Sequence, residues 1–381
     1  MPKPKRKTFE VLLPPAVGYS FSILIRFFFS NRIALRYYPR LIVLGIINVI
    51  NMPFRTWERL FINPRIQKLN IDKDPVFIIG HWRSGTTHLH NILSKDPDMG
   101  YLTTFQGVFP DTLMNKLGRF IFINFTRLLI PSTRKGDNVT LSPDNPQEEE
   151  FALGDKFPIS YYYFWMFPEK TLDYYDQALR AKGVNKKLLQ KWKNNYSLLI
   201  KKSLQNTSGK RFLSKNPPNT ARIRVLLEMF PNAKFIHIHR NPIEVFLSTT
   251  HFFNIMMPYL QLQATTDQER EELIIRVYKR MMKDFLEDKH LIPEGNLSEV
   301  AFEELEANPM AVLKKIYGQL GLEGFDSATA LFEEYLKKMR SYKKNRHTIS
   351  RDKLDNVMNE WKFTMDIWNY GIPDHIDIID E

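Results

Sequence analysis

Cysteine is absent from the 381 residues. Its absence excludes disulfides, thiolate metal sites and a cysteine nucleophile, and it suits a reducing cytoplasm better than secretion. Long apolar runs are missing too. Arg26, Arg32, Arg36 and Arg40 interrupt the first hydrophobic stretch, and LIVLGIINVI is only ten residues long, short of the roughly 18 to 20 that a spanning helix needs. Acidic residues are scarce near the start. Residues 1–70 carry twelve Lys or Arg against Glu10 and Glu58, a balance of +10, so the other 311 residues contribute only +2 to the net charge of +12. A nucleic-acid-binding protein carries its basic stripe on the folded domain. Here the excess lies in an apolar, aromatic segment, and nucleic acid is not the expected partner. No signal peptide is expected either, because Pro14 and Pro15 follow the KPKRK start at once and no small-residue cleavage site closes an apolar core.

What is present describes a globular α/β protein. Hydrophobic residues make up 43% of the chain and charged residues 25%, which excludes disorder as the default state. The segment GYSFSILIRFFFSNRIALRYYPRLIVLGIINVINMPF, within residues 1–72, interleaves Phe, Leu and Ile with arginines. Such a pattern suits a helix lying in an anionic membrane interface, or a helical hairpin packed on the catalytic domain with its arginines solvated. From residue 75 the pattern becomes short apolar runs followed by helical stretches, the signature of a parallel sheet with crossover helices. Strands are expected at 75–80, 99–104, 210–215, 233–240 and 297–305. Helices are expected at 84–95 and 219–230, after Pro242, and after Pro309. Between about 105 and 209 the strand rhythm stops, so this region is expected to be a helical cap over the carboxyl edge of the sheet. One domain over 73–381 with this insertion, plus the N-terminal appendage, is simpler than two domains.

The stretch FIIGHWRSGTTHL, 77–89, runs from strand into helix, with Gly80, four residues, Gly85, then Thr86 and Thr87. It has the spacing of a phosphate loop but lacks the lysine of G-x-x-x-x-G-K-[ST]. Backbone N–H groups at such a helix start make an anion site. A kinase would also need a carboxylate for magnesium on a neighbouring strand, and AKFIHIH has none. A ligand with fewer phosphates and no obligatory metal fits better. No metal-ligand spacing stands out among the histidines.

These residues resemble the sulfotransferases that use 3′-phosphoadenosine 5′-phosphosulfate (PAPS). WRSGTT, 82–87, is similar to their loop for the 5′-phosphosulfate, with Trp82 in place of proline. HRNPIEVFLS is similar to their 3′-phosphate signature, with Arg240 and Ser248 about two helical turns apart. FLSKNP and VAFEELEANP match two further stretches, and the likeness covers about residues 75–325. The loop GHWRSGTTHLHNIL resembles a bacterial branch acting on lipid, sterol or quinol hydroxyls. The resemblance implies a P-loop-like parallel sheet flanked by helices, PAPS as co-substrate, no metal, and transfer of a sulfuryl group to a hydroxyl. It also implies roles. Arg83 stands where the family has its catalytic lysine, and a guanidinium can grip two phosphate oxygens as charge grows on the leaving group. Ser84, Gly85, Thr86 and Thr87 would bind the 5′ end, and Arg240 and Ser248 the 3′-phosphate. Lys215 ends a strand at the ligand edge. Lys343, Lys344, Arg346 and His347 lie where the family has a loop over the nucleotide.

The general base is less legible. SPDNPQEEEFALG resembles the bacterial branch's P-Q-E-x-E-F-A-L segment, so Glu148 and Glu150 are candidates, although acids in a first helical turn also serve the macrodipole and the cap. His81 is a candidate to line the sulfate site, and His88 and His90 to support it. Phe105, Phe109, Tyr161 to Trp165 and Phe167 line an apolar acceptor cavity or fill the core. A sterol, lipid or quinol acceptor fits these residues better than a sugar, and a cytoplasmic enzyme on the inner membrane face follows. A carbohydrate sulfotransferase, an atypical kinase and a non-catalytic nucleotide-binding membrane protein are the rivals.

Overall fold

Val76, Phe77, Ile78 and Ile79 are all fully buried, because a strand covered on both faces reads as a continuous apolar run. Alternate side chains go to opposite faces of the sheet. Val76 and Ile78 pack with Leu89, Ile92 and Leu93, while Phe77 and Ile79 pack with Trp192, Tyr196 and Leu199. The computed structural model describes residues 18–129, 142–339 and 348–380. Its sheet contains β1 (Lys73–Ile79), β2 (Met99–Gly100), β3 (Arg211–Lys215), β4 (Lys234–His239) and β5 (Leu297–Ala301). The order is β2-β3-β1-β4-β5, with every pair parallel. Its described helices include α1 (Phe21–Ser30), α2 (Tyr38–Trp57), α3 (Thr86–Leu93), α4 (Lys116–Leu129), α5 (Glu149–Lys156), α6 (Lys186–Thr207), α7 (Pro242–Leu260), α8 (Asp267–Asp288) and α9 (Arg351–Ile367). This is the α/β architecture expected from the sequence.

The order of the strands has a consequence for binding. From β1 the chain moves toward the β2 edge, and from β4 it moves toward β5, so the crossovers diverge between β1 and β4. Such a switch point, at the carboxyl ends of parallel strands, is where α/β sheets bind ligands.

The strand expected over 99–104 is only two residues long. Beyond Gly100 the edge chain turns to another partner: Leu102 accepts from the Gln147 N–H (2.8 Å), and Thr104 and Phe105 donate to the carbonyls of Asn145 and Pro143, both at 2.8 Å. These bonds hold residues 143–147, just before Glu148, beside the chain that continues from β2. The helix expected over 219–230 is also divided, into a 3₁₀ turn, Pro217–Ala221, and a helix, Ile223–Met229. The elements described within 105–209 are helices and 3₁₀ turns joined by loops. Helices α8 and α9, whose Tyr278 and Trp361 stack at 3.8 Å, were not part of the sequence-based expectation.

Among the described residues no helix is long and apolar enough to cross a membrane. The N-terminal helices are tied to residues within 105–209 through polar contacts. Lys202 of α6 is fully buried and donates to Glu58 (2.6 Å) and Asp111 (3.0 Å). Asp111 also receives Lys156 at 2.7 Å and Arg59 at 2.6 Å. Burial raises the cost of the Asp111 charge, but these cations hold its pKa well below the usual carboxylate range.

Candidate active site

The loop after β1 is built by three residues with positive φ. Gly80 has φ of 137°, Arg83 of 69° and Gly85 of 95°. A Cβ on Gly80 would lie 2.3 Å from the Ile238 carbonyl oxygen, and one on Gly85 would lie 2.3 Å from the Phe302 ring. Both positions therefore exclude a side chain. Thr220 fixes the loop base, accepting from Gly80 N–H at 2.8 Å and donating to its carbonyl at 3.2 Å. Arg83 pays for a left-handed backbone that residues with a Cβ rarely adopt, and such strain is found at functional sites. Gly85 is the N-cap of α3 and supplies no capping side chain, so the helix start presents backbone N–H groups beside the Ser84, Thr86 and Thr87 hydroxyls.

Across the switch point lies the second signature. Asn241 caps α7 by accepting from Ile243 N–H at 3.0 Å, and Pro242 takes the first helical position. Two turns on, Ser248 meets the first loop: Arg83 Nε donates to Ser248 Oγ at 3.0 Å. The Arg83 guanidinium also lies 5.3 Å from the centre of the Phe252 ring. Residues 165 positions apart in sequence thus meet at one point. Arg240 donates to Glu244 (2.9 Å), and His375 Nε2 lies 2.9 Å from the other Glu244 oxygen. Burial alone would raise the Glu244 pKa, but Arg240 and then His375 outweigh it and lower it. Sequence reasoning missed Glu244 as a partner, although its i, i+4 spacing from Arg240 was a usable signal. His375 had none.

The three glutamates of the QEEEF run point to three different places. Glu148 is the N-cap residue of α5. It forms a buried ion pair with Lys215, the last residue of β3, and also receives the Tyr162 hydroxyl. Tyr162 in turn accepts from Trp82 Nε1 at 2.9 Å. Loop, cap and strand end are therefore joined through Glu148. Glu149 turns to the neighbouring strand residue, accepting from Ser214 Oγ at 2.8 Å, and burial raises its pKa to about 8. Glu150 accepts from Arg222 through both oxygens (2.6 and 2.9 Å) and from Tyr161 N–H at 2.7 Å. Burial pushes Glu150 up, but Arg222 and these donors outweigh it and lower its pKa.

His81, Trp82, Tyr161, Phe164, Phe253 and Met257 are among the residues lining an apolar cavity beside the loop. His81 is buried and its Nδ1 lies 2.8 Å from the Trp82 carbonyl oxygen. Burial lowers its pKa to about 4, so the ring is neutral near pH 7, and Nδ1–H donation leaves Nε2 as its acceptor. Of the other aromatic residues, Phe105, Phe109, Tyr163 and Phe167 pack against the N-terminal helices and belong to the core. His88 and His90 lie on α3, where burial lowers both pKa values. Lys343, Lys344, Arg346 and His347 lie outside the described residues.

Residues 75–327 match the pattern of the Sulfotransferase family. The chain belongs to that family. It is 28% identical, over 95% of its length and 92% of theirs, to proteins of Mycobacterium bovis and Mycobacterium tuberculosis named omega-hydroxy-beta-dihydromenaquinone-9 sulfotransferase. In fold the sulfotransferase is similar to sulfotransferase STF9 from Mycobacterium avium, with a TM-score of 0.62 and 17% identity over 89% of this chain and 87% of that one. It is likewise similar to STF1 from Mycobacterium tuberculosis H37Rv, with a TM-score of 0.60 and 17% identity over 89% and 90%. The activity expected from the two anion signatures is thus O-sulfotransfer, and the kinase reading is set aside.

Proposed function

We propose that the sulfotransferase moves the sulfuryl group of PAPS to a hydroxyl of a hydrophobic acceptor of the sterol, lipid or quinol class, without a metal. The observation that carries this reading is the 3.0 Å contact of Arg83 with Ser248, which supports one bisphosphate nucleotide spanning the loop after β1 and helix α7. Ser84, Gly85, Thr86 and Thr87 hold the 5′ end through the helix start and hydroxyls. Arg240 and Ser248 hold the 3′-phosphate, with Arg240 exchanging Glu244 for the ligand. Arg83 then stands at the bond that breaks: sulfur leaves the 5′-phosphate oxygen for the acceptor oxygen, and the guanidinium stabilises the charge left on phosphate.

In this reading the acceptor hydroxyl enters beside Trp82, from the cavity that His81, Tyr161 and Phe164 line. Glu148 removes its proton, and Lys215 and Tyr162 orient the carboxylate. Glu150 does not serve as base, because Arg222 occupies both of its oxygens; it positions the start of α5 instead. A second reading makes neutral His81 the proton acceptor, supported by its place on the cavity wall. The two separate by mutation. With Glu148 as base, Glu148→Gln changes the pH dependence of kcat and lowers it by about 10²-fold or more, whereas an unchanged profile transfers the role to His81. A lipid-soluble acceptor is met at a membrane, and the basic N-terminal segment suits a peripheral position on its inner, cytoplasmic face.

The primary test is calorimetric titration with adenosine 3′,5′-bisphosphate, beside ATP with magnesium. Metal-free binding of the bisphosphate supports the reading. Preference for magnesium ATP overturns it.

A further inference from the structure

Helix α2 buries Leu44 and Ile47 in its first half, and from there on its inward face is polar. Asn48, Asn51, Arg55 and Glu58 follow the three- and four-residue spacing of a single helical stripe, and all four are buried. Each has a polar partner: Thr112 donates to Asn51 (2.7 Å), Arg55 donates to Asn48 (3.1 Å) and to the Gly18 carbonyl (2.8 Å), and Lys202 donates to Glu58 (2.6 Å). The opposite side is apolar and open. Ile42, Ile46, Val49, Ile50 and Leu60 are 52 to 64% exposed. A helix of a water-soluble protein turns its apolar stripe inward, and here only Leu44 and Ile47 are buried in that way.

The surface extends beyond this helix. On α1 and the turn after it, Phe29 and Leu35 are 82% and 84% exposed, and the Phe28 ring lies 6.2 Å from that of Tyr38 at the start of α2. On the other flank is α4 of the cap, where Leu117, Phe120 and Ile121 are exposed. Phe54 of α2 packs against Phe122 of α4 at 5.9 Å, so the two apolar sides adjoin. Isolated exposed apolar residues are ordinary, but a contiguous patch of this kind marks an interaction site.

Charge selects the occupant. Arg26, Arg32, Arg36 and Arg65 are exposed around this surface, and Glu58, the only acid between residues 18 and 68, is buried under Lys202. Two copies of such a patch face to face would set arginine against arginine. An anionic bilayer supplies the opposite charge, with roughly 1 kcal/mol of attraction per basic side chain at the surface.

We infer that α1, α2 and α4 together form a docking face for an anionic lipid bilayer, and that this face and the acceptor cavity share one wall. The wall is the aromatic turn Tyr161–Trp165 and its continuation. Tyr163, Met166 and Phe167 pack on the N-terminal side, while Tyr161 and Phe164 line the cavity. A second tie runs through Arg40, which donates to the carbonyls of Pro258 (3.2 Å), Tyr259 (3.1 Å) and Gln261 (3.3 Å) at the end of α7, the helix that carries Ser248. The inference deepens the hydrophobic-acceptor reading and rests on it for its purpose.

The test is co-sedimentation of the full-length protein with vesicles of phosphatidylcholine alone and of phosphatidylcholine mixed with phosphatidylglycerol. The expected result is binding to the mixed vesicles, weakened by salt, and weaker by about tenfold or more in the variant Ile46→Ser, Val49→Ser, Ile50→Ser. A second variant, Leu117→Ser with Phe120→Ser, is expected to weaken it as well, since α4 belongs to the face. Titration with adenosine 3′,5′-bisphosphate runs in parallel on every variant. Undiminished nucleotide binding with unchanged vesicle binding overturns the docking face and leaves the sulfotransfer reading intact; loss of nucleotide binding in the wild type strikes at that reading instead. Light scattering that shows a dimer abolished by the same substitutions, with no vesicle binding, assigns the face to a second copy and also overturns the inference.

Discussion

Replacing Arg83 with alanine tests the site where its chemistry is most specific. The residue is held by three constraints: a positive φ of 69°, a 3.0 Å bond to Ser248 and the Phe252 ring beneath its guanidinium. Its neighbours Ser84 and Thr86 are each 3% exposed, so little water is available to replace it. Charge on the leaving phosphate grows only as the sulfuryl group departs, and so the loss falls on kcat more than on nucleotide affinity. Removing one such preorganised donor costs about 2.7 to 4 kcal/mol, or about 10²- to 10³-fold in kcat. Arg83→Lys restores the charge without the fork and is expected to recover most of it. The assay follows transfer of labelled sulfuryl from PAPS to a sterol or quinol alcohol, with bisphosphate titration as the control for the fold. If Arg83→Ala stays within about tenfold of wild type, Arg83 does not stabilise the leaving group. Equal loss in the alanine and lysine variants would make its geometry, rather than its charge, the decisive property.

Two further outcomes concern the neighbouring glutamates. Glu150→Gln leaves the Arg222 guanidinium, 1% exposed, without its counter-charge, and is expected to cost about 3 to 5 kcal/mol in denaturant unfolding; a loss under about 1 kcal/mol would refute the structural role. Glu149 has a folded pKa of about 8 against an ordinary 4.5, so the folded state keeps a proton that the unfolded chain releases. Its contribution is complete below the unfolded value and is lost as pH rises toward the folded one, with a slope of at most about 1.4 kcal/mol per pH unit. Glu149→Gln should flatten stability between those two values, and wild-type and variant curves that run parallel would contradict the assignment.

The loop after β1 was legible in the sequence because its physics is local. A strand, a turn that tolerates only glycine at two positions, and a helix start all fall within the thirteen residues FIIGHWRSGTTHL, while Arg240 and Ser248 were related by the resemblance to the sulfotransferase signature. The strand β1 was legible because a parallel strand buried on both faces is a continuous apolar run, whereas β5, at the sheet edge, alternates in burial. Glu148, Glu149 and Glu150 could not be told apart there. Successive residues at a helix start point in different directions, and their partners Lys215, Ser214 and Arg222 lie 67, 65 and 72 residues away. The N-terminal segment shows the limit most clearly. Its apolar and basic composition determined that it would meet either a bilayer or the body of the protein, and periodicity alone would bury its apolar stripe. Tertiary structure buried Leu44 and Ile47 but turned the second half of α2 the other way, because Thr112 and Lys202 supply the hydrogen bonds and counter-charge that let Asn51 and Glu58 face inward, and burying a polar stripe is tolerable only where such partners exist.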